Sequence, residues 1–374
     1  RQRRLAQSRR AVQQQVLHGI APAPRRFDRD AKPLDQLPLT DVLAQHLRAQ
    51  RRRLALLFGR LGGGSDPSLG GHAAESTRPA RTPNPRRAIP YIGAMAWSPR
   101  ILRNGEFRLD AGCMFGLIPR DVWMRWLTPD EHNRMPLQQN SLLLEQGGEL
   151  VVVEAGIGEK LSPKEQGQYA QQPGTIHASL AAIGCDPKDV SKVILTHLHF
   201  DHAGGLTRLD PARPDHPALT FPSATIIAQK REWDDAIANR STMHKTYLRT
   251  HLTDEVAERM MLVEGEAEVA PGIRVIPMPG HTWGQQGIAI DRGDGRTLVF
   301  VPDVIPTRYH ARPTTNLAYD VEPYTSMLTR AAMLDRAADE KWTIVLNHEH
   351  GHPVFTVHRD PDKPGAHLLE EAAL

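Results

Sequence analysis

Residues Thr196–Gly205 read "THLHFDHAGG", and the core of that stretch, His197-Leu198-His199-Phe200-Asp201-His202, holds three histidines and an aspartate in six positions. Neutral imidazole and carboxylate are the donors that zinc and its first-row neighbours favour. The preceding run, "VSKVIL", reads as a strand, so the motif sits on a loop at that strand's carboxyl end. If the chain stays extended through Thr196, alternation sends His197 and His199 to the same side. Asp201 and His202 follow after a turn, and Ala203-Gly204-Gly205 lets the backbone bend closely around them. Four donors packed this tightly point to two neighbouring metals.

Three more segments end an apolar strand on a donor. "VIPMPGHTWG" delivers His281, "TLVFVPDV" delivers Asp303, and "TIVLNHEHGH" delivers His348, with His350 and His352 close behind. Together the five histidines and two aspartates make the inventory of a dinuclear centre with one bridging carboxylate. Each arrives where the loops of α/β folds gather functional side chains.

Working outward, "NSLLLEQGGELVVVEAG" reads as a hairpin around Gly147-Gly148, and "TIHASLAAIG" as a helix capped by Thr175 and stopped at Gly184. "SATIIAQ", "IRVIPMPGH" and "GIAIDRGDGRTLVFVPD" add strands. Many strands with interspersed helices, some hairpin-linked, indicate a mixed α/β fold. Residues 89–374 carry this texture. Residues 1–88 are a basic, low-complexity extension of arginine runs, glycine triplets and Ala-Pro repeats, whose composition predicts mostly disorder. One amphipathic helix near 40–58 is the exception, with Val42, Leu43, Leu47, Leu54 and Leu57 on its apolar side. This basic extension is the one part of the chain suited to contact with nucleic acid or a membrane surface.

The net charge of +3 hides an asymmetry. Up to Arg87 there are 18 basic residues against 6 acidic ones, which leaves 28 against 37 for the rest. The region after Arg87 is therefore acidic and offers no basic groove for a nucleic-acid backbone. The two cysteines, Cys113 and Cys185, form neither a disulfide framework nor a thiolate cluster, so a reducing, cytoplasmic setting is expected. No apolar run approaches the roughly 20 residues of a membrane span.

"THLHFDHAGG", "PGHTWG", Asp303 and His348, spaced 79, 22 and 45 residues apart from His202 onward, resemble the ordered motifs of the metallo-β-lactamase superfamily. "LDAGCMFGLIPRDVW", "NRMPLQQNSLLLEQGGELVVVEAGIGEK" and "PDVIPTRYH" look like its quorum-quenching N-acyl-homoserine lactonase branch. The resemblance implies an αββα sandwich, two mixed sheets flanked by helices, with metals at one edge. It implies two divalent ions, zinc foremost, with manganese, iron and cobalt acceptable to the same donors. His197, His199 and His281 would hold the first ion, Asp201, His202 and His348 the second, and Asp303 would bridge.

The chemistry implied is hydrolysis of a lactone by a hydroxide held between the ions, with Asp201 and Asp303 as the catalytic carboxylates. A small-molecule lactone or ester is the expected partner. Met114, Phe115 and His310 would line its pocket, and Tyr309, Tyr319 or Tyr324 would donate to its carbonyl. A hydrolase of other esters or of organophosphates is the alternative on the same fold, and a non-catalytic binding protein is a further one. The sequence departs from the branch at Cys113, Trp283, Gln285 and Glu349, none of which removes a donor.

Overall fold

The computed structural model describes residues 96–374, apart from 211, 214, 215 and 244. The extension at 1–88 and the helix expected near 40–58 lie outside the described residues.

The described residues open with the long strand β1 (Ser98–Asp110), antiparallel to β2 (Arg134–Gln146). The expected hairpin follows: β2 turns at Gly147-Gly148 into β3 (Glu149–Val153), with Gln146 opposite Glu149. Next come β4 (Val190–Ile194), a small ribbon of β5 (Thr207–Arg208) and β6 (Ala218–Leu219), then β7 (Thr225–Gln229) and β8 (Met260–Val263). The first sheet has the order β1-β2-β3-β4-β7-β8, and its pairs from β3 to β8 are parallel. The second sheet is built from β9 (Ala267–Ala270), β10 (Ile273–Pro277), β11 (Gln286–Asp291), β12 (Thr297–Val301), β13 (Thr343–Leu346), β14 (Val354–Arg359) and β15 (His367–Glu371). Its order is β15-β14-β13-β12-β11-β10-β9, with only β12 and β13 parallel. Both sheets are mixed, as the sequence predicts.

Strand alternation explains the layers. Leu142, Leu144, Val151, Val153 and Ile194 of the first sheet meet Val275, Ile288, Ile290, Leu298, Phe300 and Val345 of the second in one core. The intervening residues turn outward into two further cores. Leu143, Val152 and Val193 pack under Ile176 and Leu180 of the helix Ile176–Ala182. Ala289, Val299, Val301, Ile344 and Leu346 pack under Met333, Leu334 and Ala337 of the helix Pro323–Asp339. Strands covered on both faces read as unbroken apolar runs such as "LVVV" and "TLVFV", and each side chain so buried contributes about 1.5–3 kcal/mol. The helix Ile176–Ala182 starts where expected, with the Thr175 hydroxyl accepting from Ala178 N at 3.2 Å.

The same topology gathers the donors. β10 and β12 are both antiparallel to β11, and β13 is parallel to β12, so all three end at one edge of their sheet. The first sheet is stitched to that edge. Asn140 N donates to Asn347 O at 2.9 Å, Gln138 N to His348 O at 3.2 Å, and Gln286 N to Thr196 O at 2.9 Å.

Candidate metal centre

β4 ends at Ile194, and residues 195–199 run on as a loop. A one-turn helix, Phe200–Ala203, then begins inside the motif, so Asp201 and His202 stand on helical backbone rather than on the expected loop. The backbone leaving it is tightly packed. A Cβ on Gly204 would fall 2.1 Å from Ile157 O, and one on Gly205 would fall 2.1 Å from Ala155 O. Only glycine lets the loop after β3 and the motif approach this closely.

All seven donors predicted from the sequence converge. His199 Nδ1 lies 3.1 Å from His197 Nε2 and 3.1 Å from His281 Nε2. His348 Nε2 lies 3.1 Å from His202 Nε2 and 3.5 Å from Asp201 Oδ2. Asp303 stands between the groups, with Oδ2 3.4 Å from His281 Nε2 and Oδ1 3.4 Å from His348 Nε2 and 3.6 Å from His202 Nε2. His350 and His352 stay outside: the first is half-exposed and 3.2 Å from Glu106, and the second meets Ala372 O at 2.7 Å.

The donor set fits cations for a reason visible in the hydrogen bonds. His348 Nδ1 donates to Gln138 O at 3.0 Å, His202 Nδ1 to Glu154 Oε2 at 3.0 Å, and His281 Nδ1 to Asp320 Oδ1 at 3.1 Å. Each outward nitrogen therefore carries a proton, and the inward nitrogen of a neutral ring offers a lone pair. Lone pairs 3.1 Å apart repel unless something positive lies between them. Two nitrogens bound tetrahedrally to one zinc at the usual bond length stand about 3.3 Å apart. His197, His199 and His281 form one group able to hold an ion, Asp201, His202 and His348 another, and His197, His202 and Asp303 a third that links them.

Protonation follows position. Burial and neighbouring imidazoles hold His197 and His199 well below the ordinary histidine value. Burial also opposes charge on His202, but Glu154, Asp303 and Asp201 outweigh it and hold this ring well above that value. His281 is likewise raised against its burial, by Asp303 and Asp320. Asp303 lies well below the usual carboxylate range, because His348, His202 and His281 overcome its burial.

A cavity of about 290 Å³ opens onto His199, Asp201, His281, Asp303 and His348. Leu109, Met114, Phe200, Met243 and Leu317 make much of its wall, beside the rings of Tyr169 and Tyr319. Of the three residues expected along this wall, Met114 is present, whereas Phe115 and His310 are not among its lining. They stack on each other instead, with ring centroids 5.5 Å apart and planes 2° from parallel. Both His310 nitrogens are engaged, Nε2 with Met114 O and Nδ1 with Thr307 Oγ1, each at 2.8 Å. Among the three tyrosines, Tyr319 lines the cavity and Tyr324 is half-exposed. None of the four departures from the branch pattern lines it. Trp283 donates to Glu322, and Glu349 pairs with Arg308.

The family model described as the metallo-beta-lactamase superfamily matches residues 134–348, which span β2 to the last donor. The chain belongs to the metallo-beta-lactamase superfamily. Among its relatives, N-acyl homoserine lactonase AiiA of Bacillus thuringiensis subsp. kurstaki is 28% identical over 171 residues, 46% of this chain. The chain thus spans 60% of that relative's length. A solved structure described as a probable metal-dependent hydrolase from Staphylococcus aureus aligns with TM-score 0.66 at 28% identity, over 75% of this chain and 99% of the other. AidC, described as a dizinc quorum-quenching lactonase, aligns over the same shares with TM-score 0.61 at 17% identity, a likeness of fold.

Sequence reasoning missed the carboxylates that accept from donor side chains: Glu154 from His202 and Asp320 from His281. Glu154 leaves a trace, a carboxylate ending the apolar run "LVVVE". Asp320 leaves none, because its partner His281 is 39 residues away.

Proposed function

We propose that the chain is a dinuclear metal-dependent hydrolase that opens the lactone ring of N-acyl-homoserine lactones. The observation that carries this reading is the Asp303 carboxylate, whose two oxygens face different histidine groups at the end of a largely apolar cavity. His197, His199 and His281 would hold one ion, Asp201, His202 and His348 the other, and Asp303 both. When bound, two divalent ions polarise a carbonyl oxygen and bring the pKa of water toward neutrality.

The protein's own groups supply the rest. Glu154 and Asp320 fix the tautomers of His202 and His281, so that the inward nitrogens stay unprotonated when the ions are present. Asp201 lines the cavity, where it would orient the attacking water and accept its proton. Leu109, Met114, Met243 and Leu317 would shelter an acyl chain and exclude bulk water from the ring. The names of the relatives support lactones over other esters.

Metal analysis of the purified protein, with a panel of homoserine lactones, aryl esters, a phosphotriester, a thioester and a β-lactam, tests the proposal. We expect close to two ions per chain and fastest turnover of an acyl-homoserine lactone. Faster turnover of the phosphotriester or aryl ester would reassign the substrate.

A further inference from the structure

We infer that Glu232 is a positioning residue for one half of the centre, setting His197, His199 and His281 in place without touching an ion. The inference rests on the dinuclear reading above.

Glu232 lies on the helix Lys230–Ile237 and is fully buried, while Lys230 and Asp234 on the same helix pair with each other at the surface. Among the described residues no Lys or Arg pairs with its carboxylate. Three neutral donors do: Leu198 N at 3.0 Å and the Tyr247 hydroxyl at 3.0 Å on Oε1, and the Thr282 hydroxyl at 2.6 Å on Oε2. Leu198 sits between His197 and His199, and Thr282 follows His281. Every donor of the first group is therefore within one residue of a bond to this carboxylate. The Tyr247 ring also lies against that of His199, with centroids 4.9 Å apart.

The backbone repeats the arrangement. A Cβ on Gly284 would fall 2.2 Å from Glu232 N, so the loop carrying His281 is pressed onto the start of this helix. The second group has no bond to Glu232. His202 is held by Glu154, and His348 by the carbonyl of Gln138. A buried carboxylate that accepts from both of these loops, 84 residues apart at Leu198 and Thr282, is a clamp between them.

The test uses the full chain and zinc. Two zinc dissociation constants are measured by chelator competition for the wild type, Glu232→Gln, Thr282→Val and His348→Ala, with thermal melts of the metal-free forms. Glu232→Gln replaces one acceptor oxygen by an NH2 that faces donors. We expect it to weaken one ion about 10–100-fold and leave the other within about threefold. Combined with His348→Ala, it should weaken the ion that His348→Ala retains. Thr282→Val, which deletes a single donor, should act in the same direction to a smaller extent, and it carries the test if Glu232→Gln does not fold. Equal weakening of both ions in step with the melting temperature, or no weakening, overturns the inference. A wild type that binds fewer than two ions overturns the dinuclear reading instead. If it binds one, the effect of Glu232→Gln on that ion decides the inference alone.

Discussion

The Oε2 atom of Glu154 lies 3.0 Å from Nδ1 of His202, and both side chains are buried. The other oxygen, Oε1, accepts from Thr196 N at 2.6 Å, at the start of the histidine-rich motif. Glu154 adopts a left-handed backbone, with φ at 69°, which is uncommon for a residue other than glycine and costs on the order of 1 kcal/mol. Local strain at the end of β3 thus aims one carboxylate at both the motif's entry and one of its donors.

Glu154→Gln should leave the fold intact and weaken the grip on the ion beside His202. A loss of about 10–100-fold in metal affinity or in kcat/KM is expected. An unchanged chelator titration would show that the bond is incidental.

Three histidines crowd the end of "NHEHGH", and the structure separates them. His348→Ala should remove an ion and with it most of the activity. His350→Ala and His352→Ala, which change exposed contacts, should alter activity by no more than about twofold. Metal content measured on all three variants checks the assignment.

Exhaustive chelation should abolish lactone hydrolysis, and added zinc should restore it. Stability should fall as well, because ions that bind only the folded chain stabilise it by about 4 kcal/mol at a thousandfold excess over Kd. A melting curve that chelation leaves unchanged would argue against tightly held ions.

Acid should expose the burial of His310. Its pKa is pushed down to about 4 from the ordinary 6.5, chiefly by burial. Between those values the unfolded chain takes up a proton that the folded chain refuses, so stability rises with pH. The contribution is whole above about pH 6.5 and lost below about pH 4, an effect on the order of 3 kcal/mol. His310→Gln should be less stable at neutral pH yet show a shallower decline across this window. Parallel denaturation midpoints for the two proteins from pH 7 to 4.5 would contradict this account.

The pocket wall was the least legible part of the sequence. Met114, Phe115 and His310 fall in motifs shared with one branch, but adjacency along the chain does not decide which side chain faces a cavity. Phe115 and His310 turned to each other because a flat, neutral imidazole can stack while both its nitrogens are satisfied.

From the sequence alone came the seven donors, the apolar strands that deliver them and the mixed α/β architecture. Strand periodicity, turn residues and ligand chemistry are local properties, and they survive whatever the rest of the chain does. Tertiary structure alone decided which oxygen of Asp303 faces which histidines, and that Glu154, Glu232 and Asp320 stand behind them. Those relations join residues from 22 to 101 positions apart. They depend on how two sheets are registered at one shared edge, which no short window of residues encodes.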